Sequence, residues 1–404
     1  MRPALIIRIA VATAALVSFG AGLVAYVNGW VPAGENLPLA GALLILVAAI
    51  TRRYGIALPG NGFSSFVLGV MLFAILDRGW ECVGIKRGFG SLLGEAELMP
   101  LGPHEVRGIT HLGGTILGTS NRGNPLKWRM QRPDGSWEER DRTQELLDSF
   151  RANRLDALIA IGGEGTLGIV QALWKKGLPV VGVPKTIDND VGGTVATFGF
   201  DTAVSTATEA IDKLHSTAES HERVMVVEVM GRCAGFIALN SGIAGSADVI
   251  LIPEIPFDMD KVCDKIRRRE AEGRHFSIVV VAEGATPRGG TVSLIDPAHE
   301  RLGGIAEKVA HSIEQMTGKE TRSLVLGHLQ RGGGPTTFDR MLALRFGAAA
   351  VRLVAERQFG MMVALQPPRI VAVPLDEALA QPRRVPLDSD SIATARDLGV
   401  SFGD

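Results

Sequence analysis

Two loops hold the residue types whose spacing could do chemistry. Gly162-Gly163-Glu164-Gly165-Thr166 sets a carboxylate among glycines, and Pro184-Lys185-Thr186-Ile187-Asp188-Asn189-Asp190 gathers a lysine, a threonine and two carboxylates within seven residues. Glycines let backbone N–H groups approach a phosphate closely. Thr166 can cap a following helix, whose positive end favours an anion. Glu164, poorly placed for packing between glycines, could hold a divalent cation beside phosphate. Asp188, at a loop apex, could accept the proton of a hydroxyl that attacks phosphorus. The plain alternative is a turn-capping aspartate, against which Asp190 stands two residues on. A divalent cation, phosphate and a proton acceptor in one crevice are the equipment of phosphoryl transfer.

Each loop follows a short apolar run, LDALIAI (155–161) and LPVVGV (178–183), with a helix-like stretch between them. This strand–loop–helix–strand–loop order predicts an α/β fold with both loops at the carboxyl edge of a parallel sheet, where such proteins bind ligands. The chain of 404 residues can fill two cores, and its formal net charge of −1 gives no electrostatic case for nucleic acid. Three cysteines, Cys82, Cys233 and Cys263, are too scattered for a disulfide framework or a zinc site. Cys233 reads as a small buried hydrophobe. The charged stretch 264–274 reads as a solvated helix face, with an effector-phosphate patch as the alternative. The polar tail after Pro382 suggests no site.

The N-terminal region is apolar. Residues 9–27 carry no charge over 19 positions, residues 54–76 none over 23, and a shorter run spans Leu37 to Ile50. The first is long enough to cross a hydrocarbon core of about 30 Å. A signal peptide is the alternative, but no small-x-small cleavage site follows Val27. Arg2, Arg8, Arg52 and Arg53 flank the first two runs, so the positive-inside rule predicts a hairpin at 1–53 with both ends cytoplasmic. That would tether a cytoplasmic catalytic part to the inner membrane; a soluble cytoplasmic protein is the alternative.

The two loops also resemble those of the phosphofructokinase family. The resemblance continues through SHERVMVVEVMGRCAG (220–235), LIPEIPF (251–257), VVVAEGA (279–285) and TRSLVLGHLQRGGGPTTFDR (321–340), in family order. The wording is most similar to the bacterial ATP-dependent branch that reads GGEGT and PKTIDND. The resemblance implies two Rossmann-like parallel-sheet domains: 79–198 with 330–378 for nucleotide, 199–329 for sugar phosphate, then a tail at 379–404. It implies transfer of the ATP γ-phosphoryl group to the 1-hydroxyl of fructose 6-phosphate, with Mg²⁺ at Glu164. Asp188 then matches the proton acceptor, Thr186 a contact to the transferring group, and Asp190 an orienter of metal or neighbouring backbone. Arg223, Arg322, His328 and Arg331 match the grip on the 6-phosphate. The first two come from a neighbouring subunit, so a homotetramer or at least a dimer is implied. Met230, Gly231 and Arg232 match the loop touching the sugar and the transferring phosphate, and Glu283 matches the carboxylate on the sugar hydroxyls.

On the nucleotide side the matches are Gly162, Gly163, Gly165, Thr166 and Lys185, with Arg122 able to supply transition-state charge. Pyrophosphate-using members carry aspartate at the place of Gly165; glycine leaves room for an ATP α-phosphate. Lys185 is typical of pyrophosphate-using relatives, yet this ATP-using branch carries it too. Residues 1–78 fall outside the resemblance. The family's first phosphate loop, G-I-L-T-G-G-x-D-x-P-G-x-N, is met only by Gly55, Ile56, Gly60 and Gly62. Segment 54–78 is therefore a diverged first strand–loop–helix or a replacement. A membrane-tethered, catalytically weakened sugar-phosphate-binding module stands as the alternative to a working enzyme.

Overall fold

The computed structural model describes residues 78–404 except 121–122 and 297–300. The hairpin expected at 1–53, the first-loop segment at 54–77 and Arg122 lie outside the described residues. Among the described residues, no helix is long and apolar enough to cross a membrane.

Two mainly parallel sheets organise the chain. The first runs Arg369–Pro374, Met361–Gln366, Val180–Thr186, Leu158–Gly162, with Phe198–Gly199 pairing the end of Val180–Thr186. Only Arg369–Pro374 is antiparallel to its neighbour. Val180–Thr186 is buried at every position but Lys185, as a strand covered on both faces must be. Val180 packs with Leu167, Val170 and Leu173 of helix Glu164–Lys175, whereas Val181 and Val183 pack with Phe346 and Ala350 of helix Thr337–Ala355. Successive side chains thus enter opposite helical layers.

The second sheet is parallel throughout, in the order Thr321–Val325, Val224–Val229, Ser277–Ala282, Val249–Leu251. Helices Phe200–Ser220 and Phe236–Ala244 cover one face through Ala207, Ile211 and Ile237; Met259–Ala271 and Ile305–Thr317 cover the other through Val262, Ile266, Val309 and Ile313. Helix Met259–Ala271 starts at Asp258, whose carboxylate accepts the Asp260 N–H at 2.9 Å. Arg267 and Arg268 are exposed, as a solvated face requires, although Arg267 donates to the Met316 carbonyl at 2.7 Å and Arg269 pairs with Asp248 at 2.8 Å.

The tail is built into the second half. Helix Asp390–Asp397 buries Ile392 and Ala395, Ser401 bridges to Val249, and Phe402 is wholly buried. Burying one such aromatic contributes about 1.5–3 kcal/mol, which adds to the burial of Ile392 and Ala395.

Candidate active site

The loops that matter leave the carboxyl ends of strands in both sheets. Gly162 ends Leu158–Gly162, and Gly163 is the cap of helix Glu164–Lys175. A Cβ on Gly162 would lie 2.4 Å from the Thr166 Cβ, so glycine is what lets Thr166 pack against the strand end. Thr166 therefore sits in the first helical turn and does not cap it; the cap has no side-chain acceptor, because Gly163 occupies it. The first-turn N–H groups have no intrahelical partners and suit a phosphate. Glu164 opens that turn, and a Cβ on Gly165 would meet nothing within 4 Å.

The second loop is held from within. Thr186 Oγ1 donates to Asp188 Oδ2 at 2.9 Å, and Asp188, Asn189 and Asp190 are all buried. Asn189 adopts a left-handed φ of 57°, which its short amide tolerates; its Oδ1 accepts the Thr197 N–H at 3.0 Å and its Nδ2 donates to the Val195 carbonyl at 3.3 Å. Sequence reasoning passed over this residue, although an asparagine between two aspartates is a turn signal. Asp188 Oδ1 and Asp190 Oδ1 are buried without a hydrogen-bond partner.

The second sheet supplies the opposite wall. Gly231 has a φ of 143°, and a Cβ there would lie 2.6 Å from the Ala234 carbonyl oxygen; Arg232 follows at a φ of 53°. This tight turn aims the Gly231 and Arg232 N–H groups at Glu283 Oε1, at 3.2 and 2.9 Å. It also turns Cys233 outward: the thiol expected to be buried is exposed. The Met230 N–H donates to Oε1 of Gln330 at 2.9 Å. Gln330, overlooked in the sequence, is buried in the run that carries exposed His328 and Arg331, and its Nε2 has no partner.

Charges on the two walls act on one another. Burial, then the charge of Asp188, raises the Asp190 carboxyl to about 6; Glu164 adds to the rise and Arg232 opposes it. Burial raises Glu283 too, against the N–H groups of Arg232 and Gly231 and with help from Asp188. Lys185 is lowered by desolvation and by Arg331, while Asp188 pulls it up. Its surface remains open to solvent. Asp188, Asp190, Lys185, Glu164, Arg232, Glu283 and Arg331 thus lie close enough for their charges to act on one another.

Arg223 and Arg322 do not. They lie at the start of Val224–Val229 and within Thr321–Val325, in register near the amino edge of the sheet, and both pair with Glu320. Met230 leaves the other end of the same strand, seven residues on from Arg223, or roughly 23 Å at ~3.3 Å per residue. They cannot reach this chain's own crevice.

The donor set suits magnesium. Mg²⁺ favours one or two carboxylates completed by phosphate and water, and Glu164 with the two unpartnered aspartate oxygens offers that. Among the described residues, no three acidic, histidine or cysteine side chains form an all-protein cage.

This chain belongs to the phosphofructokinase family, whose model, described as Phosphofructokinase, matches residues 59–354. The match takes in residues 59–78, which the motif wording left outside. The chain is 49% identical over 361 residues to the ATP-dependent 6-phosphofructokinase of Chloroflexus aggregans, covering 89% of this chain and 99% of that one. It is also 49% identical over 345 residues to the pyrophosphate–fructose 6-phosphate 1-phosphotransferase of Amycolatopsis mediterranei, covering 83% and 97%. Among solved structures, Pichia pastoris phosphofructokinase in the T-state is similar with a TM-score of 0.68 and 29% identity, over 84% of this chain and 36% of that longer one. The pyrophosphate-dependent phosphofructokinase of Marinobacter aquaeolei, at a TM-score of 0.65 and 22% identity over 84% and 88%, shares the fold.

Proposed function

We infer that this protein transfers the γ-phosphoryl group of ATP to the 1-hydroxyl of fructose 6-phosphate, forming fructose 1,6-bisphosphate. The observation that carries this is the Thr186–Asp188 pair, with its free buried Oδ1, set between a glycine-rich helix start and the Arg232–Glu283 turn. Asp188 takes the hydroxyl proton as the oxygen attacks phosphorus. Thr186 and Arg232 attend the transferring group, and Asp190 lies beside them. Gly162, Gly163, Gly165 and Thr166 receive nucleotide phosphates at the helix start, with Lys185 on the rim. Mg²⁺, held by Glu164 and phosphate oxygens, supplies charge neutralisation when bound. Met230, Gly231 and Glu283 hold the sugar, and His328 and Arg331 hold its 6-phosphate.

Arg223 and Arg322 complete the 6-phosphate site of a neighbouring subunit, which calls for at least a dimer. Leu324, Val325 and Leu329, exposed on the same edge strand and the turn after it, give such a contact an apolar component. The apolar runs at 9–27 and 37–50, with their flanking arginines, support a tether to the inner membrane that leaves the catalytic part in the cytoplasm.

The second reading is pyrophosphate as donor. Lys185 favours it, as does the Amycolatopsis relative; the open space at Gly165 favours ATP. The test is formation of fructose 1,6-bisphosphate from fructose 6-phosphate with each donor in turn. ATP should give the higher kcat/KM. No product with ATP would overturn the assignment.

A further inference from the structure

The tail crosses the back of the catalytic loop. Pro382 and Pro386 bracket Arg383-Arg384-Val385, a proline disfavours helix in the residue before it, and this stretch lies outside any helix or strand. The Arg383 N–H donates to the Asp190 carbonyl at 2.7 Å. Its Nη1 donates to the Val195 carbonyl at 2.8 Å and reaches the Asn189 carbonyl at 3.4 Å. One residue therefore holds both ends of the segment that carries the two aspartates. Behind it, Gly192 donates its N–H to the Ala378 carbonyl at 3.1 Å, and a Cβ on Gly192 would lie 2.7 Å from that oxygen.

The same residue meets the opposite wall. Its guanidinium lies 4.6 Å from the ring centroid of Phe236, the first residue of the helix after the Arg232 turn. Two residues on, the Val385 N–H donates to Glu254 Oε1 at 2.9 Å, and that carboxylate also accepts the Gly235 N–H at 3.0 Å. The tail thus bonds to the aspartate loop of one sheet and to the Arg232 turn of the other.

We propose that Arg383 is a positioning residue that sets the Asp188–Val195 loop against the Arg232 turn, so that base and phosphoryl-binding groups face each other at reacting distance. Its hydrogen bonds go to backbone carbonyls of the loop and not to the aspartate carboxylates. This rests on the phosphoryl-transfer reading above. Near-attack geometry is demanding, and a displacement of about 1 Å can cost ~10²-fold in rate.

The experiment compares full-length wild type with Arg383→Ala, Arg383→Lys, Phe236→Leu and the Arg383→Ala/Phe236→Leu double variant, each checked for folding by circular dichroism. With ATP and fructose 6-phosphate, Arg383→Ala should lose about 10²-fold in kcat while both KM values stay within about threefold, the pattern of an interaction used only in the transition state. Arg383→Lys keeps a cation over Phe236 and should recover part of that loss. Phe236→Leu should lose less than Arg383→Ala and add little to it in the double variant, because both act through one contact. Amide hydrogen exchange should quicken in the peptides covering 188–195 and 230–236 and stay unchanged elsewhere.

Folded Arg383→Ala with wild-type kcat would overturn the proposal. So would a loss confined to KM, additive effects in the double variant, or uniformly faster exchange. If Arg383→Ala does not fold, wild-type kcat in both Arg383→Lys and Phe236→Leu overturns it equally. Exchange needs no turnover, so an inactive wild type with loop-confined exchange changes would sink the phosphoryl-transfer reading and leave the contact established.

Discussion

Thr186 and Asp188 bond each other twice: the Thr186 hydroxyl donates to Asp188 Oδ2 at 2.9 Å, and the Asp188 N–H donates to Thr186 Oγ1 at 3.2 Å. The pair fixes the carboxylate in one orientation and leaves its other oxygen buried without a partner. A carboxylate held this way cannot swing to find another donor, which is the preorganisation a proton acceptor needs. Asp188→Asn keeps the shape and removes the basicity. Its kcat should fall by about 10²–10⁴-fold while fructose 6-phosphate affinity, measured by calorimetry, changes little. Wild-type kcat in the folded variant would remove Asp188 from the mechanism.

Asp190 makes a prediction about stability. Its carboxyl titrates at about 6 in the folded chain against an ordinary 3.8. The native state therefore holds this proton more tightly than the unfolded chain does. The stability it contributes is complete below about pH 4 and is lost as the pH rises through about 6. Asp190→Asn escapes that loss. Its melting temperature relative to wild type, without ligands, should be more favourable near pH 8 than near pH 4. A pH-independent difference would show that Asp190 has no raised value.

Donor choice can be tested at Gly165. Because a Cβ there would meet nothing within 4 Å, Gly165→Asp should fold normally. The new carboxylate would crowd and repel an ATP α-phosphate, so kcat/KM for ATP should drop about 10-fold or more, while pyrophosphate use falls less or rises. Equal losses with both donors would mean that the space is not what selects ATP.

The loops and strands could be read because glycines, prolines and carboxylates in short registers have few structural uses. Asp188, Arg232 and Glu283 each follow a strand whose valines announce it, and Gly162 ends one written in leucine, isoleucine and alanine. Other features depend on contacts far along the chain. Arg383 meets Val195 across 188 residues, and no local pattern in a polar tail signals that. Phe402 enters a core that joins the tail's own Ile392 and Ala395 to residues as distant as Ile211 and Ile250, so one aromatic near the chain's end looks like noise. Cys233 is exposed for a different reason. An arginine with positive φ reverses the turn beside it, and composition does not show φ. Thr166 looked like a cap because threonine often is one, whereas its packing against Gly162 moves the helix start forward to Glu164.

Shared sites predict complementation. Arg322 lies at the far edge of its own sheet from the crevice, so Arg322→Ala and Asp188→Ala should damage different subunits' halves of a site. Each variant alone should be nearly inactive. Mixed dimers refolded from equal amounts would hold one wholly intact site and should recover about half the activity per dimer of wild type. No recovery in verified mixed dimers would place Arg322 outside the partner's site.

The N-terminal sequence allows two truncations with opposite outcomes. A chain starting at Arg52 loses the apolar runs at 9–27 and 37–50 but keeps the family match, which begins at residue 59. If those runs are a tether, full-length protein should sediment with membranes and resist carbonate washing, whereas the shortened chain should appear in the soluble fraction with kcat unchanged. A chain starting at Gly79 also loses residues 59–78, the part of the family match where a first phosphate loop would fall. Missing one set of preorganised phosphate donors costs about 10²–10³-fold in rate, so this chain should still bind fructose 6-phosphate but turn over ATP slowly. Gly60→Val with Gly62→Val, in the chain starting at Arg52, should move ATP turnover in the same direction without a deletion. Full activity from the chain starting at Gly79 would show that residues 59–78 do no phosphate binding, and that Gly162–Thr166 alone cradle the nucleotide.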